Sequence, residues 1–580
     1  MNLAKQIVYF ATKALSREAA RSKMLLFASL ATLLVSCGSD KKQIADFIVT
    51  NAKVYTVDPS FTVLESFAVK DDKIIAVGTN ASIAATYSSD SIVNMQGKII
   101  LPGLIDAHCH FYGYAKGLRE CNLVGTKSFE EVIARVKEFS KTNKRTWIIG
   151  RGWDQNDWVI KVYPDRKMLD SLFPNTPVVL KRIDGHAALV NTAAMRAAGI
   201  TDSTKISGGE ILRELIPLPG RRNSELKMFG PATGILIDNA VDLVDRVVPP
   251  MDEKQIRECV LEAQNNCFAV GLTTLDDAGL MKEDIDVLSS METSGELNMR
   301  LYIMLSDSSP NYAYYLTKGP TKTPHINVRS FKFYGDGALG SRGAMLLQPY
   351  SDMPGHRGFL LRSPEHYKEK FALLQSKGFQ VCTHCIGDSA NRLILRMYGE
   401  LLPEGNDSRW RIEHAQVVHP ADRAYFKKYA IIPSVQPTHA TSDMYWVEKR
   451  LGETRLPGAY AYKSLLDECG ILALGTDFPV ENISPWNTMY AAVARKDLKG
   501  FPDGGFMPNE ILERKQAIFG MTSWAAFSNF EEKEKGSIAP GMYADFIVLA
   551  VDPMTCPVEE IPKIKVLETW SGGKKVYSAQ

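Results

Sequence analysis

Short apolar runs recur through the middle of the chain, separated by longer stretches with apolar residues at helical spacing. Eight runs stand out, at residues 99–105, 271–275, 300–304, 328–333, 380–384, 410–414, 431–435 and 471–477. Runs this short, bounded by turn residues, predict strands, and strands alternating with helices predict βα units around a parallel sheet. Eight such units fit an α/β fold of the (β/α)8 TIM-barrel type, which needs about 250 residues. Residues from about 111 to 265 break the rhythm and read as a large insertion after the first strand.

The chain ends carry a different pattern. Ala45-Asp46-Phe47-Ile48-Val49 recurs as Ala544-Asp545-Phe546-Ile547-Val548. Each copy leads through alternating apolar residues to a Val-Asp-Pro, at Val57-Asp58-Pro59 and Val551-Asp552-Pro553. Further β-rich runs flank both. The two ends are therefore expected to pair in one small β-sandwich made of residues 44–100 and 536–580, around a barrel at 101–535. Two separate terminal modules are the alternative.

The first residues do not belong to that pattern. Lys5, Lys13, Arg17, Arg21 and Lys23 face a single acid, Glu18, and an apolar stretch from Met24 to Val35 follows. That stretch is short of the roughly 20 residues a membrane span takes. A basic region before a short apolar one is the pattern of an export signal. It ends in Leu34-Val35-Ser36-Cys37, which resembles a bacterial lipobox. The expectation is a lipoprotein signal peptide at 1–36, lipidation of Cys37, a tether at 37–43, and anchoring at the bacterial cell envelope, on a membrane not resolved by the pattern. No nucleic acid partner is expected, and membrane contact is expected through the lipid alone.

Composition narrows the class. The 580 residues carry 68 Lys+Arg against 66 Asp+Glu, a net charge of +2. So even a balance leaves no basic footprint for nucleic acid. Loss of residues 1–36 would remove five bases and one acid and turn +2 into −2, so the slight basicity belongs to the export signal. Nine cysteines in this length make no disulfide framework.

Candidate chemistry sits at predicted strand ends. The first run leads into His108-Cys109-His110, and alternate residues of a strand face one way, so both imidazoles can point together. The fifth and sixth runs end in His384 and His414, and the eighth ends in Asp477. Four of ten histidines thus fall where barrel enzymes carry their chemistry. Cys382-Thr383-His384-Cys385 has the spacing of a redox or zinc motif, but no second pair accompanies it.

The segments LPGLIDAHCHFYG, KFYGDGALGSR, HCIGDSAN, RIEHAQ, PTHATSDM and ALGTDFPVE together resemble the amidohydrolase superfamily of metal-dependent hydrolases. They are most similar to its third family, the YtcJ-like branch that includes N-substituted formamide deformylases. The resemblance runs from about residue 44 to 577. It implies a barrel plus a β-sandwich, with His108, His110, Lys332, His384, His414 and Asp477 as metal ligands. It allows one or two divalent transition metals, zinc foremost, a carbamate on Lys332, and a homodimer. Asp477 would be the catalytic general base and acid for a metal-activated water. Trp153, Arg182, His186, Asp336, Arg342 and His439 are candidates for substrate contact. The alternatives are an internal ion pair with Asp184 for Arg182, a cap on a tight turn for Asp336, a core position for Trp153, support of a metal ligand for His439, and for Lys332 an ordinary ion pair beside a single metal.

The expected activity is therefore hydrolysis of a C–N bond in a small molecule, an amide or N-substituted formamide. A deaminase or cyclic-amide hydrolase on the same scaffold is the nearest alternative. A non-catalytic envelope binding lipoprotein is another, disfavoured because every expected ligand position is filled.

Overall fold

The computed structural model describes residues 42–579 except 144 and 218–226. The expected signal segment 1–36, Cys37 and most of the tether lie outside the described residues. Among the described residues no helix is long and apolar enough to cross a membrane.

Eight parallel strands follow one another in chain order. They are β1 (Leu104–Cys109), β2 (Leu272–Leu280), β3 (Arg300–Ser306), β4 (Ile326–Tyr334), β5 (Gln380–His384), β6 (Arg411–Glu413), β7 (Ile432–Val435) and β8 (Ala473–Leu474). Most of their residues are buried on both faces, because helices cover the outside and inward side chains fill the middle. The seam between β8 and β1 closes through loop contacts. The Asp477 amide donates to the His108 carbonyl at 2.8 Å, and the Thr476 amide and hydroxyl donate to Asp106 at 2.9 and 2.6 Å. Gly475 permits this approach, since a Cβ there would lie 2.5 Å from the His108 nitrogen.

The first apolar run is two strands rather than one. Ile99–Pro102 pairs with Phe546–Leu549 and Lys53–Tyr55 in a six-stranded sheet, and the barrel begins only at Leu104. The break falls at Gly103, where an added Cβ would lie 2.2 Å from Thr273 Oγ1. The two copies of the Ala-Asp-Phe-Ile-Val phrase do not pair with each other. Phe47–Thr50 belongs to a separate four-stranded sheet, and the two sheets meet face to face. Phe47 and Val49 from one copy and Phe546 and Val548 from the other share a core with Trp570, which stacks on Phe546 at 5.1 Å. Residues at i and i+2 point inward from each copy, so the repeat builds the two halves of a sandwich. Asp545 ties this sandwich to the barrel, accepting from Arg300 Nε and Nη2 at 2.7 and 3.1 Å.

Between β1 and β2 the chain builds a six-stranded sheet around the strands Ile148–Trp153, Val178–Arg182 and Ala187–Val190, with apolar clusters of its own. The helices Phe111–Gly117 and Glu253–Ala269 that flank it contribute to the barrel core instead.

Candidate metal centre

His108 is fully buried near the end of β1, and His110 follows just beyond the strand. Cys109 between them turns away, its thiol 3.5 Å from the Asp276 carbonyl. Lys332 lies on β4, His384 ends β5, His414 follows β6, and Asp477 follows β8. One donor atom each from His108, His414 and Asp477 lies within 4.8 Å of the others. His110 Nε2 is 3.2 Å from Asp477 Oδ1, Lys332 Nζ is 3.1 Å from His108 Nε2, and the His384 and His414 ring centres are 4.6 Å apart. Five strands thus bring all six residues to one end of the barrel.

Three of the imidazoles are held through Nδ1. His108 Nδ1 donates to Glu413 at 2.5 Å, His110 Nδ1 to the Ala278 carbonyl at 2.9 Å, and His414 Nδ1 to Gln436 Oε1 at 2.7 Å. Each leaves an Nε2 lone pair facing the centre. His110 Nε2 and Asp477 Oδ1 are in contact at the centre, 3.2 Å apart. His384 Nε2 and Asp477 Oδ1 are also buried without a hydrogen-bond partner. Leaving such groups unmatched costs about 1–3 kcal/mol each. Nitrogen and carboxylate donors in this arrangement suit a divalent transition metal, so the residues present fit one.

The electrostatics favour the ligating forms. Burial, with Lys332 adjacent, pulls the His108 imidazole down to about 4, and burial with neighbouring imidazoles holds His384 and His414 well below the usual histidine range. Burial alone would raise Asp477, yet His110, His108 and His414 outweigh it and keep the carboxyl well below its ordinary value. Burial lowers Lys332 against the pull of Glu413 and Asp477, which moves its amine toward the neutral form. His414 and Asp477 both hold left-handed backbone, at φ 71° and 62°. Such conformations cost about 1–3 kcal/mol each and persist where surrounding contacts over-determine them. Here the His414 and Asp477 amides donate at 2.8 Å to the Ser434 and His108 carbonyls.

Beneath the ligands lies a fully buried charge network. Arg411 contacts Glu413 at 2.7 Å and Asp276 at 2.8 Å, and Asn529 donates to Asp276 at 2.6 Å. Burial would raise Glu413, but Arg411 and His108 together hold it down to about 2. Glu413 thus orients His108, a role absent from the sequence reading. Its signal was available: Arg411 and Glu413 are charged residues at alternate, inward positions of a strand.

The substrate-contact candidates separate. A cavity of about 1030 Å3 lies over the centre, walled by the insertion and by barrel loops. His186 and His439 line it. His186 Nδ1 contacts Asp238 at 2.6 Å, and His439 stacks on His414 with Nε2 3.4 Å from Asp477 Oδ2. Arg182 reaches the same cavity but is only 2% exposed, and it is committed to Asp154 at 2.8 Å, to Asp184 and to Gln155. It is an internal ion pair, with four of its five N–H donors committed within the fold. Trp153 is buried in the insertion core, donating to the Leu180 carbonyl at 2.7 Å, and does not line the cavity. Asp336 is fully buried and joins its own loop to the one after β5, accepting from the amides of Met345, Ile386 and Gly387 at 2.7–2.9 Å, with Oδ1 3.9 Å from His384 Nε2. Arg342 pairs with Asp352 at 2.9 Å away from the cavity. These last three stand outside the cavity lining, and a hydrogen-bonded loop and a core use the same residue types as a pocket.

A sequence profile of the amidohydrolase family matches residues 91–577. The chain is 32% identical to Protein LONG AFTER FAR-RED 3 of Arabidopsis thaliana, over 92% of each chain. It is 30% identical to YtcJ of Bacillus subtilis, over 90% of this chain and 98% of that one. It is 24% identical to the N-substituted formamide deformylase of Arthrobacter pascens, over 92% and 99%. Among solved structures, an uncharacterized metal-dependent hydrolase from Pyrococcus horikoshii superposes with a TM-score of 0.70 at 25% identity, covering 88% of this chain and 99% of that one.

Proposed function

The chain belongs to the amidohydrolase family, a hydrolase acting on C–N bonds, and from that premise we propose that it cleaves an amide, N-substituted formamides foremost. His108, His110, Lys332, His384, His414 and Asp477 would hold one or two divalent transition metals, zinc foremost. The observation that carries this reading is the pair of buried, unpartnered atoms His384 Nε2 and Asp477 Oδ1 beside the His108–His414–Asp477 cluster. The similarity to a formamide deformylase supports the choice of bond.

A bound divalent metal supplies Lewis-acid polarisation of the carbonyl and a water of lowered pKa. The protein's own groups do the rest. Asp477, held ionised, accepts the proton of the attacking water and returns it to the departing nitrogen. His439, 3.4 Å from Asp477 Oδ2, orients that carboxylate or the carbonyl oxygen. Glu413 fixes the His108 tautomer, and the insertion wall narrows access of bulk water to the centre. Lys332, buried and with its amine shifted toward neutral, is the residue for carbamate formation.

Metal analysis of gently purified protein tests the reading directly: one to two equivalents of transition metal are expected, and under about half an equivalent argues against it. N-formyl and N-acyl amines should be turned over, and Asp477→Asn should lower kcat by about 100-fold or more. Unchanged turnover in that variant would refute the proton-transfer role. A single equivalent of metal, no carbamate signal from labelled bicarbonate and ammonia release from an aminated heterocycle would assign the deaminase reaction instead.

A further inference from the structure

Among the described residues, Arg151 is the arginine of the cavity with no carboxylate in ion-pair contact. It sits on the strand Ile148–Trp153 of the insertion sheet, one residue before a bulge at Gly152, and lines the cavity above the metal centre. Gly152 holds φ 116°, and a Cβ there would lie 2.6 Å from the Val124 nitrogen, so the bulge that aims Arg151 depends on glycine. Of the five guanidinium donors, one hydrogen bond is made, from Nη2 to the Ile183 carbonyl at 2.9 Å. Nε is buried without a partner, and no carboxylate among the described residues lies within ion-pair distance.

The contrast with the other two arginines of the cavity is sharp. Arg182 is matched by two carboxylates, and Arg362 is 45% exposed, so water solvates it. Arg151 has no carboxylate in contact and reaches solvent only in part, and burial lowers its pKa in spite of more distant carboxylates at Glu120, Asp477 and Asp184. Arg151 is part-buried, with Nε enclosed and the rest of its fork facing the cavity, and such a fork is matched in shape and charge by a carboxylate, which takes two of its donors at once. The neighbouring wall is acidic: Asp154, Asp184, Asp238 and Asp242 line the same cavity. That surrounding charge disfavours a dianionic phosphate more than a single carboxylate and confines any anion to the Arg151 fork.

We propose that Arg151 anchors a carboxylate on the substrate, so that the enzyme prefers amides carrying a carboxylate remote from the scissile C–N bond. The inference rests on the hydrolase reading for the bond that is cut, but not for the anion site itself. Arg151 then sets specificity: the insertion grips the carboxylate and the barrel presents the ligands to the carbonyl.

The test uses the full, metal-replete enzyme and a series of N-formyl ω-amino acids of increasing chain length, each beside its neutral carboxamide. Calorimetric titration gives affinities and a parallel assay gives turnover. At least one carboxylate is expected to bind about 100-fold more tightly than its carboxamide, the scale on which a desolvated charge pair discriminates. Arg151→Gln should erase that ratio while metal content stays at the wild-type level. Arg151→Lys should keep a reduced ratio, because charge remains and the fork is lost; it carries the test if the Gln variant does not fold. Equal affinity for both members in the wild type, including no binding by either, overturns the proposal, as does a ratio that survives in Arg151→Gln. Discrimination without hydrolysis of any member would leave the anion site standing and refute the formamide reading.

Discussion

Replacing Glu413 with Gln tests whether the charge under the metal centre is functional or merely structural. Glu413 is fully buried, accepts from His108 Nδ1 at 2.5 Å and contacts Arg411 Nε at 2.7 Å. Gln preserves the shape but removes the negative charge that makes His108 a stronger donor. It can also present an N–H to His108 Nδ1, which favours the tautomer whose Nε2 carries the proton and cannot ligate. Losing such an orienting carboxylate lowers metal affinity by about 10- to 100-fold, or roughly 1.4–2.8 kcal/mol. The fold pays separately. Breaking a buried pair outright costs about 3–5 kcal/mol, but Arg411 keeps Asp276 at 2.8 Å. A loss of about 1–3 kcal/mol in the metal-free protein is therefore expected, below the full value. Chelator competition gives the metal affinity, and denaturant melts of metal-free protein give the stability. Metal affinity within threefold of wild type would refute the orienting role. An unchanged metal-free stability would refute the energetic account of the Arg411 network.

Other outcomes follow from the same contacts. Gly475→Ala should cost at least about 3 kcal/mol, the upper end of overpacking, because its Cβ meets the His108 backbone nitrogen at the barrel seam; a wild-type denaturant midpoint would contradict the seam geometry. Asp545→Asn should cost about 3 kcal/mol near neutrality, since Arg300 loses its buried partner. Burial opposes ionisation of Asp545, but Arg300 holds its carboxyl below the ordinary value. Its stabilisation is therefore complete above the ordinary carboxylate pKa and is lost as pH falls through the lower folded-state value. The variant's stability should accordingly converge on wild type toward acid pH, and a constant gap from pH 7 to 3 would count against the ion pair. Cys37→Ser should abolish incorporation of labelled palmitate and release the protein from the membrane fraction; persistent labelling would exclude Cys37 as the lipidation site.

Much of the architecture was legible in the chain because parallel barrel strands are buried on both faces and appear as short apolar runs of fixed rhythm. His108, His384, His414 and Asp477 were legible for a related reason: each stands at the carboxyl end of such a run, where the fold gathers side chains. The run at 99–105 misled, since hydrophobicity continues across Gly103 while the chain passes from one sheet to another. For Asp336 and Trp153 the sequence left a packing role and a substrate role both open, because a motif names residues and not the atoms they face.

What the sequence determined by itself was periodicity and residue type: eight strand-like runs, a repeated phrase at the two ends, and a set of nitrogen and carboxylate donors at strand ends. Tertiary structure decided which of those groups meet. The Arg182–Asp184 pair was legible in the sequence, but the second carboxylate, Asp154, reaches Arg182 and not Arg151 only through the fold of the insertion. Whether His108 is oriented depends on Glu413, some three hundred residues away. Such pairings are set by strand register and loop path, which local patterning does not encode, and they determine which charges are spent within the fold and which remain for chemistry.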